Sequence, residues 1–232
     1  MQRRKEYMNA QLLGFFSGFP THHFPDDITE WLRRELIVRD SLVFVSAWPS
    51  DYERNDSDSY GMHGMFEECN MPFKQYCVID NRTDSVDAKR LIQEASCIFL
   101  MGGHAKQQFQ LICDKGILDD IRKSSAVILG VSAGSSNMAK RALDIWESHL
   151  PYSGLGLADI TIKAHITLEN QELLQILSQI SIEQNLSICA MEDESAIFVK
   201  DDHVTYIGQI HWINRGEICL LSLEILRQMV IK

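Results

Sequence analysis

The chain has 232 residues, long enough for one large domain with a core of its own, and 45% of them are hydrophobic, as in ordinary globular proteins. Its 22 Lys and Arg against 32 Asp and Glu leave a formal charge of −10, which counts against nucleic acids and anionic membranes as partners. The six cysteines, Cys69, Cys77, Cys97, Cys113, Cys189 and Cys219, form no Cys-x-x-Cys pair and read as reduced thiols, four of them in or beside apolar runs.

Taken in order, Leu12 to Phe16 is a short apolar strand that ends in Ser17-Gly18-Phe19-Pro20. Arg3, Arg4 and Lys5 precede it in the manner of a signal peptide, but the apolar run is too short, so the expectation is a cytoplasmic protein without a membrane span. Ile28, Trp31, Leu32 and Leu36 carry helical spacing and predict a helix over Asp27 to Arg39. Ser41 to Ser46 is a second apolar strand, followed by the break at Trp48-Pro49 and a polar helix from Tyr52 to Cys69. Tyr76 to Ile79 is a third strand, Asp84 to Ala95 a helix, and Cys97 to Met101 a fourth strand that runs into Gly102-Gly103-His104. Helical turns over Gln107 to Leu118 lead, through Ile121, to a fifth strand. These runs are continuously apolar rather than alternating, the mark of strands buried on both faces of a parallel sheet between helices.

Ala126 to Met138 is the centre of the pattern: an apolar run, then Gly130-Val131-Ser132-Ala133-Gly134. Two residues without Cβ let a strand turn sharply into a helix, expected over Ala133 to Leu143, and lift a serine hydroxyl beside free helix N–H groups. That design suits a nucleophile next to an oxyanion site. Beyond it come a glycine-punctuated loop at Gly154-Leu-Gly-Leu, a strand over Ile160 to Ala164 ending at His165, a helix over Glu169 to Gln184 and a strand over Ser187 to Ala190. Short strands follow at Ala196 to Val199, Val204 to Ile207 and Ile218 to Leu221, then a terminal helix after Ser222. The chain shows no internal repeat or linker, which predicts a single domain.

A serine nucleophile needs a general base and an acid to orient it. Of eight histidines, His22, His23 and His63 lie in polar segments, and His149, His203 and His211 have no strand end to fix them. His104 follows the diglycine and could line the cleft. His165 sits at a strand end, on the edge of the sheet where Ser132 also falls, and is the leading candidate for the base. For the acid, Asp144 and Glu147 lie between serine and histidine, while Glu192-Asp193-Glu194 follows the strand at Ser187; Asp193 and Glu147 are the residues carried forward.

The series Gly102-Gly103, Gly130-Val-Ser132-Ala-Gly134, Gly154-Leu-Gly-Leu, His165 and an acidic turn before Ser195-Ala196 resembles the family of serine peptidases containing dipeptidase E (aspartyl dipeptidase) and cyanophycinase. The resemblance implies a three-layer α/β/α sandwich with a mostly parallel sheet, similar to class I glutamine amidotransferase domains, with serine in place of their cysteine. It implies Ser132 as nucleophile, His165 as base, and N–H groups of Gly102 or Gly103 and Ala133 as the oxyanion hole. Two departures stand out. His104 replaces the asparagine that usually follows the diglycine, which bears on the shape of the oxyanion wall; from its place after the diglycine it is carried as a substrate-binding candidate. No Lys or Arg occurs from Ile166 to Val199, where aspartyl dipeptidase has an arginine for its substrate.

The reading is therefore a serine-type peptidase of small peptides with no cofactor and no metal, a homodimer being left open. The rival readings are a non-catalytic ligand-binding or regulatory domain, and an esterase or acyl-transfer enzyme on the same scaffold. Since Lys140, Arg141, Lys163 and Lys200 all look badly placed, Asp-X dipeptides are expected to be poor substrates.

Overall fold

The computed structural model describes residues 12–145, 147–201 and 203–230; Arg3, Arg4 and Lys5 lie outside the described residues. Five parallel strands form its centre: β1 (Leu12–Phe16), β2 (Ser41–Val45), β3 (Gln75–Ile79), β4 (Cys97–Leu100) and β5 (Val127–Val131). Two further strands extend the sheet beyond β1, β10 (Ala196–Lys200) antiparallel to β1 and β11 (His203–Ile207) antiparallel to β10, giving the order β11-β10-β1-β5-β4-β2-β3.

The period-two alternation of each strand sorts its side chains into two cores. Leu13, Phe15, Val43, Val45, Ile98, Leu100 and Ile128 point to one face, and Leu12, Phe16, Leu42, Phe44, Phe99 and Leu129 to the other. Helices α1 (Asp26–Glu35) and α2 (Tyr52–Glu68) cover the second face through Ile28, Leu32, Met65 and Phe66. Helices α3 (Ser85–Glu94), α4 (Ala105–Lys115) and α5 (Leu118–Lys123) cover the first through Ile92, Leu111, Ile112 and Ile121. Each fully buried Phe, Leu or Ile contributes roughly 1.5–3 kcal/mol relative to an exposed one, so this double-sided burial dominates the stability of the sheet.

Local chemistry sets the boundaries. Asp84 caps α3 by accepting from Val86 N and Asp87 N, and Gly116, at φ 66°, ends α4 in the left-handed conformation glycine adopts without strain. Helix α1 stops at Glu35, short of the expected Arg39, because Ile37 and Val38 are exposed and find no apolar surface; Arg39 instead donates to Leu36 O. The helix after Ser132, α6, runs only over Ala133–Met138. Its last carbonyls accept from the Gly154-Leu-Gly-Leu loop: Leu155 N to Asn137 O at 2.7 Å, Leu157 N to Met138 O at 3.0 Å and Gly156 N to Ala139 O at 3.1 Å. That loop lies so close that a Cβ on Gly154 would stand 2.3 Å from Ala139 O, and it ends the helix five residues before Leu143.

After a short β6–β7 ladder (Arg141–Ala142 and Tyr152–Ser153), the second half builds a separate four-stranded sheet in the order β13-β12-β9-β8. Its strands are β8 (Thr161–Lys163), β9 (Ile188–Met191), β12 (Ile210–Asn214) and β13 (Glu217–Leu220); helix α7 (Gln171–Glu183) packs on it, and α8 (Leu223–Val230) follows. Among the described residues no helix is long and apolar enough to cross a membrane.

Candidate active site

Strand β5 delivers Ser132 to the carboxyl edge of the main sheet, with the backbone at φ 51° and ψ −108°. A non-glycine residue held there stores about 1–3 kcal/mol of strain, and its surroundings must enforce it. Ser132 N donates to Phe16 O at 2.9 Å, and Ser136 N to Ser132 O at 3.0 Å. Ser135 Oγ, fully buried, accepts from Phe16 N and lies 2.6 Å from Gly130 O, tying β1, β5 and α6 together. Glycine is obligatory on both sides of the turn: a Cβ on Gly134 would stand 2.1 Å from Leu100 O, and one on Gly130 2.7 Å from Gly134 C.

His165 arrives from the second sheet, just beyond β8, also in the left-handed region at φ 58°. Its Nε2 lies 2.9 Å from Ser132 Oγ, and its Nδ1 2.6 Å from Asp193 Oδ1. Asp193 stands on the turn between β9 and β10. Serine, imidazole and carboxylate thus form one continuous hydrogen-bonded line, the arrangement that lets an imidazole take a hydroxyl proton while an anion holds its far side.

Ser17, at the end of β1, organises the junction. Its Oγ accepts from His165 N at 2.9 Å, lies 3.0 Å from Met191 O and 3.4 Å from Asp193 Oδ1, and its own N donates to Ser195 O. Glu194 N donates to Gly18 O at 2.8 Å, pinning the acidic turn against the start of the chain. The sequence offered only a faint signal for Ser17, a small polar residue at a buried strand end.

The other acid candidates go elsewhere. Glu147 is a correction: it is exposed and pairs with Lys106 at 2.8 Å, so it is not brought to His165. Glu192 bonds His211 Nε2 at 2.8 Å, with His211 buried on β12, and Glu194 accepts from Thr21. Asp144 is buried and lines the hollow beside Ser132.

Gly102 and Gly103 face Ser132 from the end of β4; a Cβ on Gly102 would be 3.6 Å from the Ser132 Cβ. Gly103 has φ 138° and lies against Trp48, whose Nε1 would sit 2.2 Å from a Cβ there, so both its conformation and its neighbour demand glycine. Ala133, first residue of α6, carries an N–H that its own helix cannot use. His104 packs on Trp48 with ring centroids 4.2 Å apart and lines the cleft.

Two hollows flank Ser132. The first, about 310 Å³, is bordered by Trp48, His104, Asp144, Ile145, Lys163 and His165. Lys163 is buried there, with Nζ donating to Ala164 O at 2.6 Å; burial pushes its ammonium below the usual lysine range, against the opposing pull of the Asp144 and Asp193 charges. The second, about 530 Å³, lies on the far side and is floored by Phe19, Met65, Phe99 and Met101, with Arg54 and Asp58 on its rim. The expectation that no basic side chain is well placed therefore does not hold: Lys163 and Arg54 both reach the cleft. The other cations named are engaged elsewhere, Arg141 on Gln184 O, Lys140 near Asp159, and Lys200 on Glu35.

The model of peptidase family S51 matches residues 44–207, more than half of the chain. The chain belongs to peptidase family S51. No curated protein matches it by sequence. Among solved structures it is similar to a peptidase from an acI-B1 Actinobacterium, with a TM-score of 0.70 at 14% identity over 92% of this chain and 94% of that one. It is also similar to a putative peptidase E protein from Listeria monocytogenes EGD-e, with a TM-score of 0.64 at 15% identity over 85% and 98% of the two chains. At such identities the likeness speaks for the fold, the α/β class of peptidase E-type structures and class I glutamine amidotransferases expected from the sequence. Membership in family S51 makes this chain a serine-type peptidase.

Proposed function

We propose that Ser132, His165 and Asp193 are the catalytic triad of this S51 peptidase and that its substrates are short peptides. The observation that carries the reading is the unbroken line Ser132 Oγ, His165 Nε2, His165 Nδ1, Asp193 Oδ1, with spacings of 2.9 and 2.6 Å at its two hydrogen bonds. Ser132 Oγ attacks the scissile carbonyl carbon while His165 Nε2 takes its proton. The oxyanion that forms is received by N–H groups of Gly102 or Gly103 and Ala133, a contribution worth about 10²–10³ in rate per donor in such sites. Collapse breaks the C–N bond, and His165 returns the proton to the departing amine. Water, activated by the same imidazole, then releases the acyl group. Asp193 holds the imidazole in the required tautomer and stabilises its cation.

His165 and Asp193 are 49% and 40% exposed as side chains, so in the free enzyme water competes for the triad and a bound peptide must cover it. The two hollows, at about 310 and 530 Å³, are of the size that small ligands fill (~300–1,000 Å³), which favours short peptides over long extended chains.

The test is covalent labelling by a fluorophosphonate probe, followed by kcat/KM on a dipeptide library and an ester panel. Labelling on Ser132, lost with Ser132→Ala at unchanged Tm, is expected, with peptides hydrolysed. Labelling elsewhere, or a Ser132→Ala enzyme as active as wild type, would remove the serine from the mechanism; turnover confined to esters would reassign the substrate class.

A further inference from the structure

The hollow behind Gly102 and Gly103 is asymmetric in a way that describes a ligand. Its floor is Phe19, Met65, Phe99 and Met101, with Met62 half-buried at its side, and it opens directly onto Ser132 and His165. Its rim carries one guanidinium, that of Arg54, which is held on two sides. The Arg54 Nε donates to Asp58 at 3.3 Å, and its Cζ stands 4.3 Å from the Trp48 ring centroid. Among the described residues neither Nη1 nor Nη2 of Arg54 is hydrogen-bonded. Asp58 shares the rim and offsets part of that charge, but it engages Nε alone, so the two terminal nitrogens remain to receive a planar carboxylate while the Trp48 ring restrains the guanidinium plane.

An apolar pocket beside a fixed cation matches the last residue of a peptide: a large apolar side chain next to a free α-carboxylate. We propose that this hollow is the leaving-group subsite and that the enzyme selects short peptides ending in Leu, Met or Phe, with the terminal carboxylate on Arg54. The assignment rests on the serine-peptidase reading of Ser132. In the reaction the Ser132 Oγ–C bond forms first, and the C–N bond to that terminal residue breaks when the tetrahedral intermediate collapses. The serine proton passes through His165 to the nitrogen, and the terminal amino acid departs with its carboxylate unchanged. On a chain of formal charge −10, a local cation favours the entry of a carboxylate ligand into the cleft.

The experiment compares kcat/KM for X-Leu, X-Leu-amide and X-Ser, where X is the first residue hydrolysed fastest in the dipeptide library, on wild type, Arg54→Gln, Arg54→Lys and Lys163→Met. Amidation is expected to lower wild-type kcat/KM about ten- to hundredfold, mainly through KM, the range of a charge-assisted hydrogen bond. Arg54→Gln should lose a similar factor on X-Leu and show no further loss on amidation; Arg54→Lys should recover part of it. X-Leu should exceed X-Ser by about tenfold or more in wild type. Equal turnover of acid and amide by wild type, an acid preference that survives Arg54→Gln, or one that disappears with Lys163→Met instead would overturn the subsite. Fluorophosphonate labelling of every variant separates the two levels: a labelled enzyme with the wrong specificity sinks this proposal alone, and an unlabelled wild type sinks the serine reading beneath it.

Discussion

Gly18 touches the active site without contributing a side chain to it, which makes it a sharp probe of the geometry. A Cβ built on Gly18 would stand 2.5 Å from His165 Cε1, 2.6 Å from Asp193 Oδ1 and 3.0 Å from His165 Nδ1. Ordinary van der Waals contact begins near 3.4 Å, so Gly18→Ala must drive the imidazole and the carboxylate away by about 1 Å. Both side chains are partly exposed and can swing outward, so the change falls on alignment more than on folding. The 2.6 Å His165–Asp193 bond opens, and the 2.9 Å approach of Nε2 to Ser132 is lost with it. A displacement of that size costs on the order of 10²-fold in rate when it strikes reacting groups. The assay is kcat/KM on the best library dipeptide, with the fluorophosphonate labelling rate as a substrate-independent second readout and Tm as the fold control. A folded Gly18→Ala enzyme with wild-type kcat/KM and labelling rate would show that the His165–Asp193 contact does not limit the reaction.

His165→Ala should lower kcat/KM by several orders of magnitude, and His104→Ala only modestly, since a neutral serine without a base is a poor nucleophile; the reverse ranking would exchange their roles. Asp193→Asn is expected to cost up to about 10⁴ in kcat by stabilising the wrong tautomer, while Glu147→Gln leaves kcat unchanged, read in the same assay. Lys163 gives a prediction for stability against pH. Burial lowers its ammonium below 10.5, so between its folded value and 10.5 the unfolded chain binds more protons and stability rises with pH through that window. Lys163→Met should therefore raise Tm at neutral pH, and the gain should shrink as pH climbs toward 10.5; a gain that grows with pH would contradict the burial argument.

The strand-helix alternation up to Val131 was legible because strands buried on both faces leave unbroken apolar runs such as Leu42 to Val45 and Cys97 to Leu100. The second half was harder. Strand β12 is Ile-His-Trp-Ile-Asn, and its buried histidine is satisfied by Glu192, a partner nineteen residues away that no local pattern reveals. Helix α5 is too short to show a period, and α6 ends on contacts from a loop sixteen residues downstream. That Ser132 and His165 fall on one edge of the sheet could be read because glycine spacing and strand ends are local signals. Which carboxylate lies against His165 could not be read, since Asp193 and Glu147 are both acidic residues in plausible loops and only the packing of Ser17 and Gly18 against the β9–β10 turn brings Asp193 there.

The same limit governs specificity. Sequence reasoning predicts poor cleavage of Asp-X peptides because no Lys or Arg occurs from Ile166 to Val199 and Lys163 is expected to be badly placed; the second premise fails, since Lys163 reaches the first hollow from the strand before the histidine. Its charge, however, is already committed. Its Nζ donates to Ala164 O, and the carboxylates of Asp144 and Asp193 both act on it. A substrate aspartate placed there would gain one cation and meet two anions, at an ammonium whose protonation burial has already weakened. The expected result is that Asp-Leu is hydrolysed no faster than about tenfold above Ala-Leu, and that Lys163→Met leaves this ratio nearly unchanged. An Asp-Leu preference of 10³ or more that collapses in Lys163→Met would mean that a bound substrate displaces the internal partners of Lys163, and that its charge is available to the ligand after all.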